Sequence, residues 1–339
     1  MRVIRLASMV SLVFLGSLNA GGTKPNIEVK NTAKLNYSVA GTAQTALEAT
    51  DSGFKVDRKI DLTVANTDGS KSIDVTPNTT AQVLTYTIEN TGNDTDTYGL
   101  SVVHADGSNG ADDDYDSTGC KIFDGASEIT AIELASGAQK TITVKCDIPP
   151  AGDPTVKDNQ NSKVWLLATI NGRTKANDDA DDPLAVQDVF ADGASAESLT
   201  SDIAFDGKHS DMGTYHVATA SLTIQKTSMV LSDPVTDSSG ATEAHRIPGA
   251  KMRYCFKVDN AGSSDAEGVH VKDSISTDMT YLNSGKILQD SGTACVCEDI
   301  SDTSGSISDN DVDIDLGTVT KSATTSTARA CAYIEATIN

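Results

Sequence analysis

The chain contains 339 residues, which is long enough for two domains that each bury a core of their own. Its formal net charge of −22 argues against a nucleic acid partner, because phosphates attract basic surfaces. Aromatic residues make up only 4% of the chain. This composition is typical of thin β-domains with many turns and less typical of an enzyme with deep pockets.

The first twenty residues are predicted to be a secretory signal peptide. Arg2 and Arg5 give a positively charged beginning, and an apolar run extends from Leu6 to Leu18 before the small residue Ala20. The run is too short to span a membrane, and no cysteine follows the cleavage point for lipid attachment. We therefore expect a secreted or cell-surface protein without a membrane span or a covalent anchor.

Residues 27–39 alternate apolar and polar side chains and predict a β-strand. The apolar side chains fall on odd positions, so they share one face of the strand. The segment is either the ordinary first strand of the first domain or a strand that pairs with a neighbouring subunit by strand addition. The residues of this predicted assembly strand are Ile27, Val29, Leu35, Tyr37 and Val39.

Further short alternating segments follow at roughly the spacing expected of a β-sandwich. The segment from Ser52 to Val64 is predicted to be one strand with a single apolar register. Residues 171–216 are predicted to be a decorated connection, in which Leu184–Phe190 is either a short helix or a strand. The other strands predicted for this domain cover residues 73–76, 83–92, 98–103, 120–123, 129–134, 140–148 and 164–170.

A loop rich in aspartate and glycine lies between residues 106 and 116. Carboxylate oxygens are the ligands that calcium prefers, although the order of residues does not match an EF-hand loop. The loop is therefore interpreted either as a calcium site or as a solvated acidic segment. The calcium ligands would be Asp106, Asp112, Asp113, Asp114 and Asp116.

One pattern occurs twice in the chain, at Val83–Gly92 and at Met252–Gly262. Each copy alternates apolar and polar residues, reaches Asn-x-Gly and is followed by a second alternating segment. This pattern predicts a strand, a connection and a strand with one buried face. Two copies predict two related domains at residues 21–216 and 217–339, in an all-β fold of two Ig-like or jelly-roll-like antiparallel β-sandwiches in tandem.

Six cysteines in an exported chain favour disulfide bonds. The two cysteines of the first half are the obvious pair there, and the four of the second half allow three pairings. Two of those four are separated by a single residue and are not expected to bond to each other, because strand geometry closes such a bond poorly. A Cys-x-Cys metal site is the alternative for them. The cysteines are Cys120 and Cys146, then Cys255, Cys295, Cys297 and Cys331.

The sequence contains none of the common motifs of catalysis. It has no His-Glu-x-x-His, no Gly-x-Ser-x-Gly and no phosphate-binding loop, and its five histidines are scattered. We therefore expect a protein that is not an enzyme and that needs no cofactor, apart from the calcium considered above.

Several linked segments of the second half resemble a known family, the conserved DUF-eleven repeat domain of bacterial surface proteins. The upstream part, with Val56–Ala65 and Thr85–Gly92, is similar to the N-terminal region of secreted proteobacterial members. The resemblance implies an Ig-like cell-surface or extracellular β-protein without catalysis, and it names no ligand. The segments that carry it in the second half are Ala220–Thr227, Asp233-Pro234, Ile247–Gly262, Val269–Asp273 and Leu316–Thr318.

These patterns predict a non-catalytic structural or adhesive protein of the cell surface or extracellular matrix. In its sharpest form the prediction is a filament subunit that assembles by strand addition through its N-terminal strand. The expected partners are further copies of the chain, other surface proteins or glycans. The alternative function is a calcium-dependent module that binds a glycan or a protein.

Overall fold

A computed structural model describes residues 22–150, 156–176, 182–194, 197, 199–236, 244–287, 305–308, 310–321 and 328–339. The predicted signal peptide at residues 1–20 lies outside the described residues. Cys295 and Cys297 also lie outside them, so the pairings predicted for these two cysteines stay predictions.

The protein is all-β with several antiparallel sheets, and β17 (Asp188–Phe190) pairs with β7 (Arg58–Ile60) in parallel. This confirms the predicted fold class. The chain divides into two compact units. The first comprises residues up to Ile73, Thr80–Asp147 and Ser162–Tyr215, and the second comprises Asp74–Thr79, Ile148–Asn161 and the chain from His216. The predicted domains at residues 21–216 and 217–339 are two continuous blocks and stay a prediction.

The described chain begins with six short strands that pair as one two-stranded ribbon. They are β1 Glu28–Val29, β2 Thr32–Leu35, β3 Ser38–Val39, β4 Thr42–Ala43, β5 Leu47–Thr50 and β6 Phe54–Lys55.

Two five-stranded sheets follow, in the orders β13-β12-β15-β10-β8 and β14-β11-β16-β18-β9, while β17 pairs with β7 in parallel. A 3-10 turn at Gly69–Lys71 precedes β9. The strands are β7 Arg58–Ile60, β8 Leu62–Asn66, β9 Ser72–Val75, β10 Gln82–Asn90, β11 Asp96–His104, β12 Thr118–Asp124, β13 Ser127–Glu128, β14 Ala131–Leu134, β15 Gln139–Asp147, β16 Asn161–Ile170, β17 Asp188–Phe190 and β18 Lys208–Val217.

The core of the first unit lies between these two sheets, because alternate residues of each strand point to the same face. The Tyr86 hydroxyl of β10 donates to the Val164 carbonyl of β16 at 3.5 Å and so joins the sheets. Among the buried core residues are Leu62, Val64, Leu84, Ile88, Tyr98, Ile142, Val144, Leu166, Ala168 and Tyr215.

The structure corrects two details of the predicted strands. The segment from Ser52 to Val64 is not one strand, because it is divided among β6, β7 and β8. Its apolar residues also do not share one buried face, since Phe54 is exposed in the ribbon while Leu62 is buried in the core. The predicted connection at residues 171–216 contains strand β18, which was not predicted, while Asp188–Phe190 forms strand β17 and so follows the strand alternative of the prediction.

A disulfide joins Cys120 of β12 to Cys146 of β15, as predicted for the first half. The two cysteines are 26 residues apart, so the bond restricts a sizeable loop of the unfolded chain. Replacing both by serine is expected to lower the free energy of unfolding by about 3 kcal/mol. Urea unfolding of the double variant measures this loss, and an unchanged midpoint would contradict it.

An ion cluster lies beside the core of the first unit. The Asp96 side chain is only 1% exposed and lies 3.2 Å from one guanidinium nitrogen of Arg58 and 3.3 Å from one of Arg173. Arg58 also contacts Asp94 and lies 3.5 Å from Asp188. Burial raises the pKa of the Asp96 carboxyl, and the two guanidinium groups oppose this shift.

The second unit packs a four-stranded sheet, β19-β20-β25-β22, against a three-stranded sheet, β21-β24-β23. The buried residues of its core include Phe256, Val258, Val271, Ile314 and Ile334. Cys255 and Cys331 are each disulfide-bonded. The strands are β19 Leu222–Ser232, β20 Lys251–Asn260, β21 Ala266–Ser274, β22 Met279–Ile287, β23 Ser306–Ser308, β24 Asp311–Val319 and β25 Ala328–Ile338.

Both copies of the repeated pattern form the predicted strand, connection and strand. β10 is followed by β11 and β20 by β21, and in each case the chain crosses from one sheet to the other. The asparagine at the end of the first strand is fully buried in each copy. Asn90 accepts a hydrogen bond from Gly92 N at 2.9 Å, and Asn260 accepts one from Gly262 N at 3.0 Å.

The glycine of the Asn-x-Gly motif is required by close packing. A Cβ atom at Gly92 would collide with the Lys59 carbonyl oxygen, and one at Gly262 would collide with the Thr219 carbonyl oxygen. The asparagine amide also donates to a strand of the opposite sheet, to Leu134 O from Asn90 and to Val319 O from Asn260. The motif therefore ties the two sheets together at the same place in each unit.

Candidate assembly surface

The six N-terminal strands form a long hairpin, residues 27–55, which we call the N-terminal hairpin. Glu28 pairs with Lys55 at its base and Leu35 with Leu47 further along. Two residues with positive φ, Ala40 at 48° and Gly41 at 85°, make the turn between β3 and β4. A two-residue turn with positive φ at both positions matches the right-handed twist of the flanking strands.

Large apolar side chains of the hairpin are exposed on both arms. Their exposed fractions lie between 38% and 58%. Cross-strand pairing places Val29 beside Phe54 and Leu35 beside Leu47, so apolar side chains from both arms share a face. The exposed set is Ile27, Val29, Leu35, Tyr37, Val39, Leu47 and Phe54.

The residues of the predicted assembly strand all lie on the outgoing arm, and all of them are exposed. The prediction of one continuous strand over residues 27–39 is wrong, because β1, β2 and β3 are separate and the ladder changes register between them. The return arm with Leu47 was not predicted, and Phe54 was predicted to belong to the strand from Ser52 to Val64. The signal was there in Gly41, which permits a tight turn between two alternating segments.

A two-stranded ribbon without further contacts is only marginally stable in water. Within the described residues, the ribbon strands pair only with one another. At the base of the ribbon the Lys55 N–H donates to the Pro183 carbonyl at 2.7 Å, and beyond this point the described residues place no strand against the outer edges, whose backbone N–H and C=O groups are available to another strand. Exposed apolar side chains and available edges together define a surface suited to strand addition.

Asp106 and Asp113 of the acidic loop accept backbone hydrogen bonds, the first from the loop itself and the second from β16. Asp106 Oδ1 accepts hydrogen bonds from Ser108 Oγ at 2.8 Å and from Ser108 N at 2.9 Å, and these bonds lower the pKa of Asp106. Asp113 Oδ2 accepts one from Lys163 N at 3.0 Å, while burial raises the pKa of Asp113. Asp112, Asp114 and Asp116 belong to the same loop. Among the residues that the structure describes, no group of three or more His, Cys, Asp or Glu is placed to hold a metal ion. Calcium binding by this loop stays a prediction.

A second charged cluster fastens β18 to β8 in the first unit. Asp211 Oδ2 of β18 accepts a hydrogen bond from Asn66 N of β8 at 2.6 Å, and Asp211 Oδ1 lies 2.7 Å from Lys71 Nζ. Lys71 also contacts Glu197. Burial opposes ionisation of Asp211, but hydrogen bonds from Glu197 and Lys71 outweigh it and lower the pKa of Asp211. The cluster serves to hold two strands together.

Three of the described histidines contact different parts of the fold. His209 Nδ1 accepts a hydrogen bond from Val64 N at 3.0 Å, His216 lies 2.9 Å from Asp74, and His270 lies 2.7 Å from Asp313. The His270 bond is the main cause of the lowered pKa of Asp313. Across the described ranges, no helix has the length and apolar character needed to cross a membrane.

Comparison with known proteins identifies no family for this chain. No family model and no curated protein matches the chain. The solved structure of the class 5 fimbriae chaperone CfaA is 10% identical, with 78% of this chain and 83% of that chain covered and a TM-score of 0.25. A chaperone–tip adhesin complex of CFA/I fimbriae biogenesis is 10% identical, with 63% of this chain and 76% of that chain covered and a TM-score of 0.22.

The secreted serine protease VesC from Vibrio cholerae is 9% identical, with 82% of this chain covered and a TM-score of 0.23. The chain spans about half of that protease, since 49% of it is covered. Similarity at this level assigns neither a family nor a function to the chain, and the resemblance to the DUF-eleven repeat domain stays a prediction.

Proposed function

We propose that this chain is a non-catalytic structural or adhesive subunit that works outside the cell and self-assembles by adding its N-terminal hairpin to a neighbouring subunit. The observation that carries the proposal is the exposure of seven large apolar side chains on a two-stranded ribbon. Large exposed apolar surfaces on otherwise polar proteins mark sites of association. The open ribbon edges add the backbone hydrogen bonds that strand addition needs.

The size of the surface fits a specific contact. A fully exposed large apolar side chain has about 200 Å² of accessible area, so seven that are about half exposed offer roughly 700 Å². Specific protein interfaces bury about 800 Å² on each partner. The hairpin alone therefore supplies most of the surface that a stable contact requires.

The chemistry of the chain supports a location outside the cell. The disulfide between Cys120 and Cys146 is expected to persist in an oxidising compartment, whereas cytosolic proteins rarely keep such bonds. The strongly acidic composition makes subunits repel one another at low ionic strength, and salt screens this repulsion. Assembly is therefore best measured at about 0.15 M salt.

Removing the hairpin is expected to abolish assembly. Its base is closed by a hydrogen bond from Asn26 N to Val56 O at 2.9 Å, so residues 28–54 can be replaced by a two-residue Asn-Gly turn. We expect filaments or large oligomers of the mature wild type by electron microscopy and light scattering. The shortened variant should remain monomeric with an unchanged melting temperature, and its normal polymerisation would contradict the proposal.

A matched pair of hairpin variants separates apolar contact from charge. Leu35→Ser with Leu47→Ser removes an apolar cross-strand pair and should prevent assembly. Lys34→Ser with Glu48→Ser removes the adjacent ion pair, whose charged atoms are 2.9 Å apart, and leaves the net charge unchanged. This second variant should assemble like the wild type, because exposed ion pairs contribute little.

A further inference from the structure

The Asn-x-Gly motif allows the two units to be compared strand by strand. In the first unit, Asn90 of β10 lies opposite Leu62 of β8. In the second unit, Asn260 of β20 lies opposite Leu222 of β19. β19 therefore occupies the place in its sheet that β8 occupies in the first unit.

The opposite sheets correspond as well. Asp96 of β11 lies opposite Leu134 of β14, and Ala266 of β21 lies opposite Val319 of β24. β24 therefore stands in the place of β14. The other edge of β11 pairs with β16, which is followed by β18, whereas no described strand pairs with the other edge of β21. Among the described strands, the second unit lacks counterparts of β16 and β18.

The burial of side chains shows what these two strands do in the first unit. Leu62 and Val64 of β8 are 0% and 3% exposed. Their counterparts in β19, Leu222 and Ile224, are 44% and 64% exposed. Ile224 faces the core side of its sheet, because it lies directly opposite the buried Val258. The second unit therefore has an apolar strip on β19 that its own described strands leave open.

β18 makes direct contact with β8 in the first unit, where Asp211 accepts a hydrogen bond from Asn66 N. The residue of β19 that corresponds to Asn66 is Lys226, which lies opposite Phe256. Its ammonium group lies 5.3 Å from the centre of the Phe256 ring and 2.6 Å from Asp273 Oδ2 of β21. A lysine side chain thus partly covers the core where the first unit has a strand.

We infer that the open edge of β21 and the apolar strip of β19 together form the acceptor site for the N-terminal hairpin of a second copy of this chain. We call this surface the acceptor edge. The inference rests on the proposed function and names the surface that receives the hairpin.

The hairpin fits the acceptor edge in the number and length of its strands. β16 and β18 are neighbours in one sheet, and the hairpin likewise supplies two neighbouring strands, joined by a tight turn. Each arm covers about twelve residues, roughly 40 Å, which exceeds the nine residues of β21. One arm would pair with β21 through its backbone, and apolar side chains of the ribbon would cover Leu222 and Ile224.

Mixing two complementary variants of the full mature chain tests this inference. Ile224→Asp introduces a carboxylate into the apolar strip at an exposed position, so it should not affect folding. It keeps its hairpin but loses its acceptor edge. The hairpin-replacement variant described above keeps its acceptor edge but has no hairpin. Each variant alone should be monomeric, and an equal mixture should give a 1:1 dimer that grows no further by light scattering.

The control is Ile307→Asp, which places the same charge on β23 at the opposite end of the three-stranded sheet. It should assemble like the wild type, whereas Ile224→Asp should raise the protein concentration needed for assembly at least about tenfold, with all melting temperatures unchanged.

The outcomes separate the inference from the proposed function. If Ile224→Asp assembles like the wild type while the hairpin-replacement variant does not, the hairpin binds elsewhere and only the inference is overturned. An acceptor edge filled by another segment of the same chain gives this result too. If the hairpin-replacement variant still assembles, the proposed function fails, and the inference fails with it.

Discussion

Replacing Asn260 by alanine is expected to lower the free energy of unfolding of the second unit by about 3–5 kcal/mol. The side chain is fully buried and makes hydrogen bonds in two directions. Its oxygen accepts from Gly262 N at 3.0 Å and from Ser221 N at 3.1 Å. Its amide nitrogen donates to Ser264 O at 2.9 Å and to Val319 O at 3.1 Å.

The expected loss is large because alanine leaves several backbone groups without their partner. Each buried polar group that loses its hydrogen bond costs about 1–3 kcal/mol. Domains are stable by only about 5–15 kcal/mol, so the loss removes a large share of the total. The equivalent change Asn90→Ala should weaken the first unit for the same reason, since Asn90 is also fully buried.

Urea unfolding followed by circular dichroism measures the effect of Asn260→Ala. The control is Thr280→Ala in the same unit, whose exposed hydroxyl donates to Asn339 Oδ1 at 2.6 Å. It should cost less than about 1 kcal/mol. Equal losses in both variants would contradict a special role for the Asn-x-Gly asparagine.

Arg58→Leu is expected to destabilise the first unit by about 3–5 kcal/mol at neutral pH. The change removes a guanidinium group beside the Asp96 carboxyl, whose side chain is 1% exposed. A buried carboxylate that loses its cation costs far more than an exposed ion pair contributes. Arg173 also lies 3.3 Å from Asp96, but its side chain is 30% exposed and solvent screens it more.

The loss should be smaller in acid. Burial already raises the pKa of the Asp96 carboxyl in the folded protein, and removing Arg58 removes the strongest opposing charge. In the variant the folded state therefore binds a proton more readily than the unfolded state does. Stability then rises as the pH falls through the raised pKa, because the buried group becomes neutral.

Urea unfolding at about pH 7 and about pH 5 tests this dependence. The control is Lys59→Leu on the same strand, which removes an exposed ion pair to Asp61 with a distance of 2.6 Å. It should cost less than about 1 kcal/mol at either pH. If Arg58→Leu loses the same stability at both pH values, the buried carboxylate is not the cause of the loss.

The sequence was sufficient to predict the parts of the fold that depend on local patterns. Period-two alternation located β10 and β20. Asn90 and Asn260 marked the point in each unit where the chain crosses from one sheet to the other. These elements were predictable because the apolar face of a central strand is buried whatever its neighbours are. The disulfide between Cys120 and Cys146 was predictable because each half of the chain has its own cysteines.

The assembly surface was only partly predictable, because exposure depends on distant strands. Ile27 and Ile60 both occur in alternating segments, yet the first is half exposed and the second is buried. Ile224 has the sequence pattern of a core residue, and it is exposed because no described strand covers it. Local alternation predicts which side chains share a face of a strand. Whether that face is covered depends on the arrangement of the whole sheet and of the strands packed against it.

The hairpin and the acceptor edge belong to different units of the chain, and this gives any assembly a direction. In a contact between two unlike surfaces, each subunit still has one free surface with which it can bind a further subunit. Such contacts therefore form an open row of subunits, unless the rotation between neighbouring subunits closes a ring. Every open row, whatever its length, would end in a bare hairpin on one side and an uncovered β21 on the other. Growth at the two ends would then depend on different residues, and a cell could stop either end with a cap that imitates only one of the two surfaces.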